Sequence, residues 1–223
     1  MCGRYTLAVQ LDLIADRFAC GPEFSQLTPR YNIAPGQLAP VVVQEEGRKL
    51  RMMKWGLVPS WARDDSIGYK MINARAETLH EKPSFRKALE QRRCIIPADG
   101  FFEWRKEPDG KSKTPMRIVL TDHSLFGLAG LWERWRDPEG KELLSYTIVT
   151  TTPNHLLEPI HNRMPVILSQ DAEERWLNAG EANPRDLIDM LKPYPAEQME
   201  MFPVSKVVNN PRADSPECIT PVG

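Results

Sequence analysis

Twenty prolines and 13 glycines are spread along the 223 residues. Proline removes an amide donor and fixes φ, and glycine adds backbone freedom, so this punctuation excludes long helices. The chain must be built from short elements joined by stiff loops. The apolar pattern between these breaks supplies the elements. Residues 7–18 (LAVQLDLIADRF) have helical apolar spacing and predict a helix. Residues 39–44 and 49–55 read as two strands about a turn at 45–48, a hairpin. Residues 56–69 read as an irregular loop and 71–75 as a short extended piece. A helix capped by Ser84 is predicted over 84–91, strands over 93–97 and 101–104, and a turn at 98–100. Further strands are predicted over 116–121, 125–131 and 145–151. A helix over 171–178 capped by Ser169 and another over 185–191 follow. Strands outnumber helices and βαβ signals are few. The expected fold is a mainly antiparallel α+β domain, its sheet curved and barrel-like, with short helices at the periphery.

Composition narrows the function classes. Hydrophobic residues make up 41% and charged residues 26%, as in a globular protein able to bury a core. No apolar run approaches the roughly 20 residues that span a bilayer. The first residues, MCGRY, lack a secretory pattern, so a cytoplasmic, membrane-free location is expected. Net charge is -1, so any nucleic-acid surface must be a local patch. The four cysteines, at 2, 20, 94 and 218, form no CxxC pair and lie at no metal-ligand spacing from histidine. No metal and no cofactor are expected. Cys20, Cys94 and Cys218 read as small buried hydrophobes.

Cys2 is different, because loss of Met1 would leave it at the amino terminus. An N-terminal cysteine carries an amine with a pKa of about 7.7–8.0 beside a thiol near about 8.5. An aldehyde condenses with the amine to an imine, and the thiol then closes a five-membered thiazolidine. No other chain position supplies that pair. Three further segments place polar side chains at strand ends or loop starts, where sites tend to sit. They are residues 72–78 (INARAET), 97–104 (PADGFFEW) and 160–165 (IHNRMP). Glu103 lies among aromatics and could exchange protons near neutrality, or point to solvent in the other strand register. His161 titrates near neutrality, or simply satisfies a loop carbonyl. Asn73 can hold an amine or ring oxygen, or bond its own turn. Arg4, Arg75, Arg86, Arg92, Arg93 and Arg163 could match phosphates, and Trp55, Trp61, Phe101 and Trp104 could stack on unpaired bases. The alternative is solvated charge and core aromatics.

These segments resemble those of the SRAP family (SOS-response-associated peptidase), whose members shield abasic sites by DNA–protein crosslinking. The resemblance runs in order through MCGRY, RYNIAPGQ (30–37), WGLVPSW (55–61), INARAET, CIIPADGFFEW (94–104), HNRMPVIL (161–168) and PVSKVVNN (203–210). Residues 62–71 and 79–84 are less fixed by motif, and no DNA contact is carried into them. The resemblance implies one domain over residues 1–223 with a curved, barrel-like sheet. It implies Cys2 as nucleophile after Met1 removal, Asn73 steadying the sugar, Glu103 as general acid/base and His161 near the phosphate. It places Arg4, Arg75 and Arg163 on DNA phosphates, and Trp61 and Trp104 at DNA-facing aromatic positions. The implied partner is single-stranded DNA with an abasic site, met by a monomer in the cytoplasm or on a bacterial nucleoid. The implied activity is lyase-like crosslinking in DNA repair, with peptidase (hydrolase) activity confined to the chain's own N-terminus. The competing readings are a cysteine peptidase, a non-covalent reader of modified DNA, and a structural module with no site.

Overall fold

The structure, a computed structural model, describes residues 2–178 and 184–222. In chain order the first half runs β1 (Tyr5–Leu7), α1 (Leu11–Phe18), β2 (Gly21–Pro22), β3 (Arg30–Ile33), β4 (Leu38–Glu45), β5 (Gly47–Trp55), β6 (Asn73–Arg75), α2 (Pro83–Gln91), β7 (Arg93–Ala98) and β8 (Gly100–Lys106). The second half runs β9 (Lys113–Leu120), β10 (Phe126–Arg136), β11 (Glu142–Thr151), β12 (Met164–Pro165), β13 (Ile167–Leu168), α3 (Gln170–Asn178), α4 (Pro184–Asp189) and β14 (Met199–Pro203).

Two sheets divide the strands. In the larger one, β11, β10, β7, β4 and β5 pair in that order, and a parallel pairing of β11 with β5 (Ser145 with Lys54, Tyr146 with Trp55) closes them into a ring. This is the barrel. Its β6 appendage lies parallel to β11, with Asn73 opposite Ile148. The smaller sheet has the order β14-β9-β8-β1-β3, antiparallel throughout. The fold is therefore one mainly antiparallel α+β domain with short helices at its edge, as expected. The main core fills the barrel and the space under the helices. A smaller cluster of Phe102, Val204, Val208 and Cys218 lies behind the second sheet.

The chain passes from barrel to second sheet across a single residue, Asp99. The expected turn at 98–100 is instead this strand switch. Asp99 holds it by accepting from the Thr6 hydroxyl and, at 2.8 Å, from the Ala8 amide, while its own N–H donates to the Thr6 carbonyl at 3.0 Å.

Other local expectations shift for nonlocal reasons. The helix expected from residue 7 begins at Leu11, because Leu7 is drawn into β1 opposite Arg30. Ser84 does not cap α2: Pro83 takes the first helical position, where its missing N–H costs nothing, and Lys82 precedes it. Ser169 does cap α3, its hydroxyl accepting from the Ala172 amide at 3.3 Å. The 56–69 loop ends in a 3-10 helix, Asp65–Lys70. Cys20, Cys94 and Cys218 are free and buried. Among the described residues, no helix is long and apolar enough to cross a membrane.

Candidate active site at the seam of the two sheets

Cys2 immediately precedes β1 of the second sheet, and Asn73 opens β6 on the barrel. They meet at the seam: the Asn73 amide donates from Nδ2 to the Cys2 carbonyl at 2.9 Å. Asn73 is held there from behind. The Trp55 indole N–H donates to the Ile72 carbonyl at 2.8 Å, and that carbonyl also accepts from the Ile148 amide at 3.2 Å. The Asn73 side-chain oxygen is buried and accepts from no described residue, so it remains open to a ligand donor.

Glu103 sits in the middle of β8 and is only 4% exposed. The solvent-facing alternative is thus excluded. Its neighbour Phe102 turns to the small rear core, and alternation sends Glu103 to the opposite, buried side with Phe101. Desolvation raises its carboxyl pKa to about 7, against the pull of the Lys113 charge. Burial also pushes the Cys2 thiol well above its ordinary range, and the adjacent Glu103 charge pushes the same way. Beneath Cys2, the Tyr5 and Tyr146 hydroxyls bond to each other at 2.7 Å, and Trp55 stacks on Tyr146.

His161 lies in the loop between β11 and β12, partly buried. Its Nδ1 lies 3.0 Å from the Arg163 main-chain nitrogen and 3.2 Å from the Arg163 carbonyl oxygen, so it accepts from the one or donates to the other according to the tautomer. Desolvation lowers its pKa, and the charges of Arg163 and Lys113 act in the same direction.

The expected DNA contacts divide into two groups. Arg75 is exposed, and Trp61 is 61% exposed. Arg4 and Arg163 are instead engaged within the protein. The Arg4 guanidinium donates to Asn32 Oδ1 at 2.9 Å and the Val208 carbonyl at 2.7 Å, and lies over the Trp104 ring. The Trp104 indole donates to Asn209 Oδ1 at 2.7 Å. Arg163 forms a two-armed ion pair with Glu77 at 2.8 and 2.9 Å. Other candidates serve the core. Trp55 and Phe101 are buried and offer no stacking face. Arg92 pairs with Glu133, and Arg93 donates to the Leu89, Glu90 and Trp176 carbonyls. Sequence reasoning assigned no role to Glu77, Lys113 or the tyrosine pair. Glu77 lay in a quoted motif, but its partner is 86 residues away.

A barrel and an appended sheet that bury Cys2 against an asparagine and a glutamate of raised pKa define a compact class of site. The chain belongs to the SOS response associated peptidase (SRAP) family, whose profile matches residues 1–211. It is 51% identical over 223 residues to abasic site processing protein YoqW of Bacillus subtilis (strain 168), covering 98% of this chain and 99% of the relative. It is 34% identical over 224 residues to abasic site processing protein HMCES of Xenopus tropicalis, covering 87% of this chain and 66% of that one. A crystal structure of a Bacteroides thetaiotaomicron protein, 30% identical, superposes with a TM-score of 0.90 over 99% of this chain and 100% of that one.

Proposed function

We propose that this protein captures abasic sites in single-stranded DNA as a thiazolidine on Cys2, after Met1 has been removed. The observation that carries the reading is the seating of Cys2: its carbonyl is fixed by Asn73, and a carboxyl with a pKa of about 7 lies beside it. Met1 itself lies outside the described residues. Its hydrolytic removal frees the α-amine. Glu103 gives and takes the protons that open the sugar to its aldehyde. The amine nitrogen attacks the aldehyde carbon and water leaves, forming the imine. The S–H then adds across the C=N bond: sulfur bonds to carbon, and the proton goes to nitrogen. Loss of the imine removes the electron sink that β-elimination needs, so the strand stays intact. Asn73 orients the acceptor groups, and His161 meets the lesion's phosphate. Arg75 and Trp61 present exposed faces to the strand, with Trp104 and Arg4 forming its rim. The names of the relatives support abasic-site DNA as the substrate.

The thiol's raised pKa also orders the steps. It is un-ionised at neutral pH, so the amine attacks first and the thiol second. A cysteine peptidase needs the reverse, a thiolate stabilised by an imidazolium. Here the thiol is shifted up and the imidazole down.

The test is incubation of Met1-processed protein with single-stranded DNA carrying one abasic site, read by denaturing gel and intact mass without reductant. A band of protein plus DNA is expected for the native chain and none for Cys2→Ala, which keeps the amine, can still form an imine and can cleave the strand. Retention of Met1 should likewise abolish the band. A stable crosslink from either variant would overturn the thiazolidine.

A further inference from the structure

Tyr69 lies at the end of the 3-10 helix Asp65–Lys70 and is 68% exposed. Its backbone is nevertheless tightly held. Gly68 packs on Gly56 so closely that a Cβ at Gly68 would lie 2.7 Å from the Gly56 carbonyl oxygen. The Met71 N–H donates to the Gly68 carbonyl at 2.9 Å and closes the turn around Tyr69. The edge of the ring rests on Gly36, where a Cβ would sit 3.5 Å from Tyr69 Cε1. Gly36 is in turn tied to the barrel, its N–H donating to the Trp55 carbonyl at 2.8 Å. The Lys54 ammonium lies 5.9 Å from the centre of the Tyr69 ring and pairs with Asp65 at 2.7 Å. Exposed Arg63 and Lys70 add positive charge to the same loop, which also presents Trp61. Asn73 follows Tyr69 by four residues, a length of chain that spans at most about 14 Å. The ring is therefore rigid, open, flanked by a cation and within a few nucleotides' reach of the residue that meets Cys2.

We infer that Tyr69 is a base-stacking residue: its ring, with the Lys54 ammonium beside it, receives an unpaired base of the strand next to the abasic nucleotide. This rests on the single-stranded DNA reading above, and it extends that reading into residues 62–71, to which the family motifs carry no contact. The chemistry of the lesion supplies the ligand. A base beside an abasic nucleotide has lost its stacking neighbour on that side, and an aromatic ring offers a replacement that any base accepts. The turn that fixes Tyr69 has already ordered its backbone, so less freedom is lost when the base arrives. The nearby cations meet the phosphates on either side of that base. Stacking acts on binding and leaves the bond-forming steps at Cys2 alone.

The experiment compares the native chain with Tyr69→Ala and Tyr69→Phe. Affinity is measured on single strands carrying one tetrahydrofuran site, which has no aldehyde and forms no crosslink. The bases on either side of that site are then removed one at a time, each replaced by a further tetrahydrofuran. The native chain is expected to lose about fivefold or more in affinity when one particular neighbouring base is removed. Tyr69→Ala should bind the strand with that base present about as weakly as the native chain binds it without, and should lose nothing more when the base goes. Tyr69→Phe keeps the ring and should restore the native pattern. Crosslinking at saturating abasic-site DNA should proceed at the native rate in both variants, and the melting temperature of Tyr69→Ala should be unchanged. Native affinity in Tyr69→Ala, or a loss that is the same with and without each neighbouring base, would overturn the inference. Native protein that binds the tetrahydrofuran strand yet forms no crosslink on an abasic strand would defeat the thiazolidine alone. Native protein with no affinity for single strands would defeat the DNA reading, and the stacking with it.

Discussion

At the scale of the residue, Glu103 trades solvation for a place beside Cys2. Its pKa of about 7, against an ordinary 4.5, makes it part acid and part base at neutral pH, which suits the donation and acceptance that the proposed imine formation asks of it. The same shift costs stability. The folded pKa is raised, so the fold keeps a proton that the unfolded chain releases between about pH 4.5 and about pH 7. The contribution of the protonated carboxyl is full below the unfolded pKa and is lost as pH rises through the folded one. A span of about 2.5 pH units corresponds to on the order of 3 kcal/mol. Glu103→Gln removes the titration while keeping the shape. Denaturant unfolding should therefore find the variant more stable than the native chain in mildly alkaline buffer, with the difference gone in acid below the ordinary carboxylate range. Its crosslinking should slow by about 10²-fold. A variant no more stable in alkaline buffer would mean that Glu103 ionises in the fold without penalty, and its acid/base assignment would fail with it.

At the scale of the element, the barrel's parallel closure delivers Asn73. Just past β5, the Gly56 N–H donates to the Tyr146 carbonyl at 2.8 Å, and the chain turns at a φ of +118°. A Cβ there would lie 2.6 Å from the Gly68 carbonyl oxygen, so only glycine lets the 57–71 loop fold back on its own start. That return brings the Met71 carbonyl to the Leu57 amide at 3.1 Å and sets β6 in register. Gly56→Ala should destabilise the fold by about 2 kcal/mol or more, read as a lower melting temperature, and slow crosslinking by displacing Asn73. An unchanged melting temperature would mean that the two loop ends do not touch in solution. The long strands of this architecture were legible: 39–44, 49–55, 93–97 and 145–151 carry the apolar patterns that local reading detects. Closure was not, because it pairs Lys54 and Trp55 with Ser145 and Tyr146, far apart in the chain. Nor was the shortness of α1, since β1 claims Leu7 only through partners elsewhere. The site's residue types were legible as motifs. That Arg4 and Arg163 spend their donors inside the protein was not, because their partners lie far away in the chain.

At the scale of the whole molecule, charge is nearly balanced. The chain has 29 Lys and Arg against 30 Asp and Glu. Many arginines are already paired: Arg17 with Glu173, Arg30 with Asp214, Arg51 with Glu23 and Glu45, Arg92 with Glu133, Arg163 with Glu77. Arg75 is the exposed arginine nearest Asn73 in the chain. On the proposed reading, the covalent bond supplies a retention that does not depend on counterion release. Binding to a tetrahydrofuran-site single strand, followed by fluorescence anisotropy over a salt series, should give a shallow log–log slope of about -1.5 to -2. That corresponds to two or three phosphates at about 0.7 each. The finished crosslink should be indifferent to salt. A slope steeper than about -4 would reveal a basic face hidden by the net charge. Retention would then be electrostatic, and a non-covalent reader of DNA would become the better account.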